Sequence, residues 1–485
     1  MYKRQTYTYE ANSNRVSTVS SGESSVQYVY DWATRLDTIK QNGDEKYKFT
    51  YDSFGRVSQI SVTNGTDFTP LMTTTYDSYS RPTVKTYGND DTFTTYYDTL
   101  DNVTEIKYNN NDQKRICYYY ATDNTLSHTV DYFEGTTTWY TYDLAGRVVA
   151  IRTYDTTATS YSGQQLSNEI KYTYADKTNY LTGIRHYTPE LGVQDLTYRY
   201  GNLANGEMPD QIYGISYNGV EKLTFTYDGL GRVTEKEITT TSSKKLTETY
   251  TYQDIPNSNK TTTQVQSLIN PVGSYTYTYD ANGNIASENV TINYMKPRSR
   301  SISYEYDELN RLKRVNNASR YYTLVFEYDA RGNILAQKYY DYTEGELGQL
   351  KSTDTYTYTA GWNDLLTSFR GESITYDEIG NPVQYLGDTL TWTEGRRLAS
   401  LARPSPGLPD TITTYTYEYN AAGQRTSKTK TYSTTGESIT TEFIYEGDLL
   451  VGQKTSDGKG DMLSLIHIFR HLLRQVHILQ EDIVK

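Results

Sequence analysis

Few residues in this 485-residue chain are of the types that catalyse reactions or bind metals. His128, His186 and Cys117 are the candidates before residue 460, and none of them lies in an HxxxH, HExxH or cysteine-rich spacing that would build a metal site. Asp280 begins a stretch that imitates a calcium loop, but Thr291 occupies the position of the bidentate glutamate. We therefore expect no catalytic residue, no metal ligand and no cofactor.

Carboxylates recur instead at one position of a repeated motif, which reads Tyr-Asp, two residues, Gly-Arg or Gly-Asn, and an aliphatic residue. The six full copies supply Tyr51, Asp52, Gly55, Arg56, Tyr142, Asp143, Gly146, Arg147, Tyr227, Asp228, Gly231, Arg232, Tyr279, Asp280, Gly283, Tyr328, Asp329, Gly332, Tyr376, Asp377 and Gly380. Looser copies begin at Tyr30, Tyr76, Tyr97, Tyr306 and Tyr419. Paired carboxylates can hydrolyse glycosides. An aspartate that occurs once in nearly every copy is better explained by turn geometry.

The motif is predicted to be a hairpin turn that follows a strand. Asp52 can accept hydrogen bonds from amides two residues later, and Gly55 can adopt a positive φ without steric cost. Arg56 is expected either to pair with the aspartate of a neighbouring repeat or to cover tyrosine rings. Thr and Tyr alternate just before several turns, as in residues 274–279 and 414–419, so each strand presents a tyrosine face and a polar face.

Repeats of this kind predict an all-β fold over residues 6–460, with little helix. The motif starts mostly lie about 20 to 30 residues apart, a period at which each repeat is one supersecondary unit that stacks on its neighbours. Tandem antiparallel hairpins then form a long curved ribbon. The chain has 53 tyrosines but only 36% hydrophobic residues, which favours a thin or hollow wall over one thick core.

Composition also excludes several functions. A net charge of -12 would repel a phosphate backbone, so nucleic-acid binding is not expected. No apolar run is long enough to span a membrane. The single Cys117 excludes an intrachain disulfide framework and is interpreted as a small packed residue.

The repeated motif resembles the YD repeat of the Rhs/YD-repeat family, which includes the shells of bacterial Rhs polymorphic toxins, the BC components of insecticidal toxin complexes and the teneurins. The resemblance covers nearly all of residues 6–460. It implies a large secreted or surface protein in which the ribbon forms a hollow β cocoon around its own C-terminal, usually toxic, domain. In the family, a core-associated module closes the shell and releases the toxin by aspartyl autoproteolysis. Nothing here matches that module or a toxin, so a wall segment without cargo is expected.

Both ends of the chain depart from the repeat pattern. Residues 1–5 and 463–485 resemble the translated strands of a sequencing adapter, which predicts an internal fragment with non-native ends around a repeat array at 6–460. The alternative for the tail is a natural C-terminal helix, since Leu465 and Phe469 belong to a plausible apolar stripe.

Two late variants of the motif carry tryptophan, Trp362 and Trp392. The structural interpretation is that a bulkier ring fills a wider gap where the ribbon changes curvature. The functional interpretation is that an exposed indole stacks on sugar. The competing class for the whole chain is therefore a cell-surface adhesin or carbohydrate-binding wall protein that contacts cell-surface glycans.

Overall fold

The computed structural model describes residues 6–21, 24–63, 67–176, 178–189, 192–240, 244–255, 260–293, 298–359, 365–420, 422–446, 449–457 and 461–465. These residues form β-strands and two single-turn 3-10 helices, Leu203–Asn205 and Ala318–Arg320. The predicted all-β fold is confirmed. Residues 1–5 and 466–485, which contain most of the predicted non-native ends, lie outside the described residues.

The strands form two consecutive sheets. The first contains β1 Thr6–Tyr9, β2 Val16–Ser21, β3 Ser24–Tyr30, β4 Leu36–Gln41, β5 Asp44–Tyr51, β6 Val57–Thr63, β7 Phe68–Tyr76, β8 Pro82–Tyr87, β9 Thr92–Tyr97, β10 Val103–Tyr108, β11 Arg115–Tyr120, β12 Leu126–Asp131, β13 Thr136–Tyr142, β14 Val148–Tyr154, β15 Leu166–Tyr174, β16 Leu181–Thr188, β17 Gly192–Tyr200, β18 Ile212–Tyr217, β19 Val220–Tyr227, β20 Val233–Thr239, β21 Lys245–Asp254, β22 Thr261–Asn270, β23 Gly273–Tyr279, β24 Ile285–Ile292, β25 Arg298–Tyr306, β26 Leu312–Asn317, β27 Tyr322–Tyr328, β28 Ile334–Tyr342, β29 Leu347–Tyr358, β30 Leu366–Phe369 and β31 Glu372–Ser373. The second contains β32 Thr375–Tyr376, β33 Pro382–Tyr385, β34 Asp388–Thr393, β35 Arg397–Ser405, β36 Leu408–Tyr419, β37 Arg425–Tyr432, β38 Ser438–Glu446, β39 Leu449–Ser456 and β40 Asp461–Leu465.

Every strand within a sheet pairs antiparallel with the next strand in sequence, so the chain is one long meander. The break between the two sheets is a single residue, Ile374, whose amide still donates to the Thr367 carbonyl at 2.8 Å. Strand β40 extends the second sheet to Leu465, past the predicted start of the tail at 463. Backbone pairing can accept almost any side chain, so this strand does not decide the origin of the tail.

A meander has two long edges, and here the edges differ. Tyrosine-aspartate turns such as 52–56 and 143–147 lie on one edge, which we call the YD rim. The other edge, the far rim, carries connections such as 42–43, 88–91 and 109–114. Each kind of connection therefore recurs along its own edge of the ribbon.

The ribbon coils back onto itself rim to rim. Contacts join residues 280, 286, 287 and 304 positions apart, and each of them links a turn of the later YD rim to the earlier far rim. The first such contact is the ion pair between Arg331 and Asp44. One winding therefore takes between 280 and 304 residues, and β1 and β40 remain as the open ends of the coil.

The wall is thin, as its composition predicts. Among the described residues, the largest side chains that are almost completely buried are Ile379, Val130, Val290, Thr137 and Thr323. Two of these five are threonines, so hydrogen bonds between neighbouring strands stabilise the wall together with apolar burial.

Candidate functional site

The repeated turn is a type I turn followed by a G1 β-bulge. In the copy at Asp52, the Gly55 amide donates to the Asp52 carbonyl at 3.0 Å, and the Asp52 amide donates to the Arg56 carbonyl at 2.9 Å. Gly55 has a φ of 82°, the left-handed region that this bulge requires. The Asp52 Oδ1 atom accepts from the amides of Phe54 at 2.9 Å and Arg56 at 3.0 Å. The carboxylate therefore holds the turn closed.

The other full copies keep this geometry. The corresponding φ angles are 77° at Gly146, 78° at Gly231, 88° at Gly283, 95° at Gly332 and 82° at Gly380. In four of the five looser copies a non-glycine residue occupies the same left-handed position, with φ of 68° at Thr34, 69° at Ser80, 67° at Asp101 and 60° at Asn310. Residues other than glycine are strained there, and β-branched residues most of all, so the looser turns carry a backbone cost.

The arginine that ends the motif joins one repeat to the next. Arg56 Nε lies 2.7 Å from Asp52 Oδ2 in its own turn, because the tight turn brings positions four apart side by side. Its Nη1 donates to the Asp77 carbonyl at 3.1 Å, and its guanidinium lies 4.5 Å from the centre of the Tyr76 ring. The predicted stacking on tyrosine is present. Of the two alternatives predicted for Arg56, ring stacking is therefore the one present, and its remaining contacts with the neighbouring turn are to the Asp77 carbonyl and to Ser80 Oγ at 3.2 Å.

Asparagine replaces this arginine in the Gly-Asn copies and keeps part of its role. Asn284 Nδ2 donates to Asp280 Oδ2 at 3.0 Å and to Asn310 Oδ1 of the next turn at 3.1 Å. Asn333 Nδ2 likewise donates to Asp329 Oδ2 at 2.9 Å. The amide closes its own turn without a charge and without covering a ring.

The motif tyrosine connects each repeat to the one before it. Its hydroxyl donates to a backbone carbonyl at the start of the preceding repeat's second strand, at 2.6 to 3.1 Å. The donors in this tyrosine ladder are Tyr30, Tyr51, Tyr76, Tyr97, Tyr120, Tyr142, Tyr174, Tyr200, Tyr227, Tyr252, Tyr279, Tyr306, Tyr328, Tyr358, Tyr376, Tyr419 and Tyr445. The ring buries apolar area while the hydroxyl donates to a main-chain carbonyl of the preceding repeat.

Trp392 takes the place of tyrosine in this ladder. Its Nε1 donates to the Pro382 carbonyl at 2.7 Å, the bond that a motif tyrosine makes. The only polar atom of its indole is therefore engaged in the wall. Trp362 lies outside the described residues, and sugar contact by either indole stays a prediction.

A joint between the two windings connects the motif turn after Trp392 to far-rim residues that no motif marks. Gly395 N donates to Asp91 Oδ2 at 2.6 Å, and Glu394 N donates to the Tyr108 hydroxyl at 2.9 Å. The same Tyr108 hydroxyl donates to Asp91, and Lys114 Nζ lies 3.1 Å from Glu394 Oε1. Only 4% of the Glu394 side chain is exposed, so this is a built contact and not a surface ion pair.

Comparison with known proteins agrees with this geometry. The teneurin YD-shell family matches residues 3–202 and 205–360, more than half of the chain. The chain belongs to the YD-shell family. This confirms the Rhs/YD-repeat assignment made from the repeats. A comparison with curated proteins gives no match.

Solved structures with the same fold come from Tc toxins. The crystal structure of TcdB2-TccC3-Cdc42 matches 95% of this YD-shell chain at 14% identity and a TM-score of 0.68. TcdB2-TccC3 without its hypervariable C-terminal region matches 95% at 14% identity and 0.69, and the Photorhabdus luminescens Tc holotoxin pore matches 95% at 15% and 0.68. The YD-shell chain spans 24% of the length of each of these chains. At such identities the likeness shows the fold.

A polar cavity of about 440 Å³, partly open to solvent, lies between the two windings of the YD-shell chain. The first winding contributes Asp131, Glu134 and Tyr140 to the lining, and the second contributes Glu442 and Lys454. Hydroxyl and amide side chains make up most of the rest, including Thr129, Thr136, Thr138, Thr153, Ser167, Asn168, Thr188, Asn420, Gln424 and Thr426. The surfaces of the two windings that line this cavity are therefore mostly polar.

His128, His186 and Cys117, which were first considered for catalysis or metal binding, lie apart from one another, and each has structural contacts. His128 is stacked between Tyr119 and Trp139, with ring centres 4.4 and 4.0 Å away, and burial lowers its pKa. His186 Nε2 lies 2.9 Å from Asn168 Oδ1. Burial raises the pKa of Cys117, which opposes thiolate formation. Within the described ranges, no three His, Cys, Asp or Glu side chains are grouped so that they could hold a metal ion.

Turn carboxylates such as Asp143 and Asp31 are held ionised. The Arg147 amide lowers the pKa of Asp143 most, and the Arg147 side chain lowers it further against the opposing effect of burial. The pKa of Asp31 is lowered first by the amide of Arg35. A carboxylate already satisfied by amides and a guanidinium is a poor general acid. The repeated motif is thus a structural site.

Removing one turn carboxylate is expected to lower stability moderately. Asp143→Ala deletes the acceptor of the Ala145 and Arg147 amides, each at 2.9 Å, and the ion pair with Arg147. The expected loss is about 0.5 to 2 kcal/mol, measured by urea unfolding. Asp210→Ala is the control, since this exposed aspartate lies outside the motif. Equal losses in the two variants would contradict the role of the turn.

Substitution at the left-handed turn position is expected to change stability in opposite directions in two copies. Gly146→Val places a β-branched residue at a φ of 77°, where nothing lies within 4 Å of the new Cβ, so its cost is backbone strain of about 1 to 3 kcal/mol. Thr34→Gly relieves the same strain at a φ of 68° and is expected to stabilise the chain by up to about 1 kcal/mol. Unfolding midpoints test both, and a destabilised Thr34→Gly variant would refute the strain argument.

The contact between windings at Glu134 is expected to strengthen in mild acid. Burial, and next the charge of Asp131, raise the Glu134 pKa to about 7, against a hydrogen bond with Thr426. The charge of Glu418 raises the Glu134 pKa further, and Glu442 and Lys454 line the same cavity. Because the folded pKa is raised, this stabilisation is complete below the unfolded value near 4.5 and is lost as the pH rises through 7.

The measurement for Glu134 is amide exchange of residues 129–136 and 422–426 at pH 5.5 and pH 7.5, corrected for intrinsic rates. Protection should be higher at pH 5.5 in the wild-type chain. Glu134→Gln should show equal protection at both values. A pH dependence that survives this substitution would assign the effect to another group.

Proposed function

We propose that this chain is a wall segment of a hollow YD shell that encloses a C-terminal cargo domain of the same, longer polypeptide. The observation that carries the proposal is the joint at Asp91, Tyr108 and Gly395, where a later winding closes on the rim of an earlier one. A ribbon that coils rim to rim surrounds a space. The Tc toxin structures that share this fold support the same role.

The proposed wall is not catalytic. Its carboxylates occur one per turn, and each is bound by the amides and the terminal side chain of its own turn. Shells of this family suggest delivery of cargo outside the cell, so we place the protein in the secreted or cell-surface class. The described residues include no helix with the length and apolar character of a membrane span.

The first test is the shape of the chain in solution. Small-angle scattering should give a radius of gyration above about 23 Å, the value for a compact globule of this length. The pair-distance distribution should have its maximum shifted to long distances, as a hollow wall requires. A compact value with a symmetric distribution would refute the wall.

The second test concerns cargo. In the intact polypeptide from the same gene, a protease should leave the C-terminal domain uncut, and Asp91→Ala should expose it by loosening the joint. Asp210→Ala is the matched control. A domain that is cut equally fast in the wild type would refute enclosure even if the wall is hollow.

Two further assays test the competing functions. Binding to a glycan array that is lost in Trp362→Ala or Trp392→Phe would favour the adhesin class. Turnover of a glycan, peptide or nucleic acid that is abolished by Asp143→Ala but not by Asp52→Ala would reveal an active site among the turns. Neither result is expected, because the motif positions are used alike in every copy.

A further inference from the structure

Two consecutive turns of the later YD rim meet the far rim of the earlier winding at adjoining places. They are turn 377–381 and turn 393–397, and the second of them contains the joint described above. The first carries Ile379 at its tip, the second position after the aspartate. Side chains at this position are 81% and 77% exposed in Phe54 and Tyr79, but Ile379 is completely buried.

Ile379 fills a notch at Gly88 in the far rim. A Cβ atom added to Gly88 would lie 2.8 Å from Ile379 Cγ2 and 2.4 Å from the Pro70 carbonyl oxygen, so a larger residue would displace one of them. The φ of Gly88 lies outside the left-handed region, so this glycine is required for space and not for its backbone conformation. Its amide donates to the Leu71 carbonyl at 3.0 Å. The notch therefore has a fixed shape that accepts an apolar tip.

The second turn docks through polar groups. Its Gly395 amide donates to Asp91, and its buried Glu394 carboxylate lies 3.1 Å from Lys114 Nζ. A Cβ atom added to Gly395 would lie 3.1 Å from Tyr87 Cε2, so this turn also packs against the ring of the residue before the notch. One apolar and one polar contact therefore lie side by side on the far rim.

The two turns are also bound to each other, and we call them together the double turn. Arg396 Nη2 donates to the Ile379 carbonyl at 2.8 Å, and Asn381 Nδ2 donates to the Gly395 carbonyl at 2.9 Å. Asn381 is buried, so its bond is shielded from water. The apolar contact of Ile379 and the polar contacts of Glu394 and Gly395 are therefore held at one spacing.

Neighbouring positions along the far rim do not offer the same partners. A shift by one connection toward the C-terminus would bring the buried Glu394 to residues 131–135, which include two carboxylates, and Ile379 to residues 109–114, which include no glycine. A shift in the other direction would bring Glu394 to residues 88–91, which include two aspartates and no cation. Burying a carboxylate without a cation is strongly unfavourable, so both shifts are disfavoured.

We propose that the double turn selects a single register between the windings and thereby sets the length of one turn of the coil. Curvature brings the two rims together, but the twist between adjacent strands varies from about 10° to 35°. Because the strands from β9 to β32 lie between the two partners, a small change per strand would close the coil one connection earlier or later. The inference goes beyond the proposed function, since a coil can close in one register whether or not it encloses cargo.

Changing the number of repeats between the two partners tests this register. Deleting residues 201–227 removes one repeat, β18 and β19, and joins Tyr200 to Asp228, so that a complete Tyr-Asp turn is restored. Duplicating residues 201–227 adds one repeat. Repeats contribute to stability in a roughly additive way, so the remaining ribbon should stay folded in both variants.

A photocrosslinker in place of Glu378, which is exposed beside Ile379, reports the register. In the wild type and in both variants, far-rim crosslinks should include residues 86–91, because the double turn keeps its partners. If curvature alone fixed the number of strands in a winding, crosslinks in the duplication would move to residues 109–114. Those in the deletion would move to the connection between β6 and β7. Either movement overturns the proposal.

Removing the apolar contact in the duplication separates the double turn from curvature. Ile379→Asp should lower the share of crosslinks at residues 86–91 at least about fivefold, because a buried aliphatic side chain is lost from the notch. Ile379→Leu is the control and should keep the crosslinks at residues 86–91. Equal maps for the two substitutions overturn the role of Ile379. The wild-type map is decisive even if a variant does not fold, since crosslinks spread over several connections would overturn a single register.

Discussion

Raising the pH above 10 is expected to unfold the wall in one cooperative transition. The ladder hydroxyls donate to carbonyls and lose that ability on ionisation, while the resulting tyrosinates are partly buried. Burial is the largest cause that raises the pKa of these ladder tyrosines: Tyr51, Tyr97, Tyr120, Tyr142, Tyr200, Tyr227, Tyr252, Tyr279, Tyr306, Tyr328, Tyr358, Tyr376 and Tyr445.

The sign of this dependence follows from the direction of the shift. A raised folded pKa stabilises the chain fully below the unfolded value near 10, and the stabilisation is lost as the pH rises through the folded values. For Tyr118 and Tyr304, which lie outside the ladder, burial raises the pKa to about 12. The transition is therefore expected between about pH 10 and 12.

Tyrosinate absorbance at 295 nm and far-ultraviolet circular dichroism, recorded on the same samples, measure the transition. The two signals should change together. Tyr142→Phe should lower stability at neutral pH by about 1 kcal/mol, since the Leu126 carbonyl loses its donor. Tyr79→Phe is the control, because this tip tyrosine is 77% exposed. Gradual ionisation near pH 10 with the strands intact would refute the ladder.

The turns and strands were predictable because their causes are local. Asp52, Gly55 and Arg56 act within five residues, so the motif contains the whole turn. The alternation of Thr and Tyr likewise specifies the two faces of a strand. A repeated local signal is reinforced with every copy, and the family resemblance was visible for the same reason.

The partner of each motif tyrosine was not predictable in this way. Tyr279 donates to a carbonyl 14 residues earlier and Tyr174 to one 26 residues earlier, because repeats differ in strand and loop length. The acceptor is also a backbone atom, which any residue type can provide.

The far-rim side of the joint between windings had no sequence signal. Asp91 and Lys114 lie in connections that read as ordinary polar loops, and their partners are 304 and 280 residues away. Which loop meets which turn depends on the curvature of the ribbon, summed over many strands with small twists. A short local motif cannot specify a curvature that builds up over many strands. Long-range closure therefore has to be tested at the joint itself.

Removing the Asp91 carboxylate is expected to release the second winding from the first. Asp91→Ala leaves the Tyr108 hydroxyl and the Gly395 amide without their acceptor at a contact that is mostly closed to water. Hydrogen bonds to a charged group contribute about 1.5 to 3 kcal/mol each, so the joint should weaken by about 3 kcal/mol or more. Repeats remote from the joint keep their ladder bonds and should stay folded.

Hydrogen exchange resolved by peptide distinguishes this release from general unfolding. In Asp91→Ala, protection should fall in residues 87–114 and 377–397 and stay unchanged in residues 210–290, which make no part of the joint. Asp91→Asn keeps an acceptor and should lose much less, while Asp210→Ala should lose nothing at the joint. Burial raises the pKa of Asp91, but the hydrogen bonds from the Tyr108 hydroxyl and the Gly395 amide lower it by more. The pKa of Asp91 is therefore lowered. The joint of the wild-type chain should accordingly weaken as the pH falls below about 4. In Asp91→Ala, uniform loss of protection across all repeats would show that the windings are not joined at Asp91.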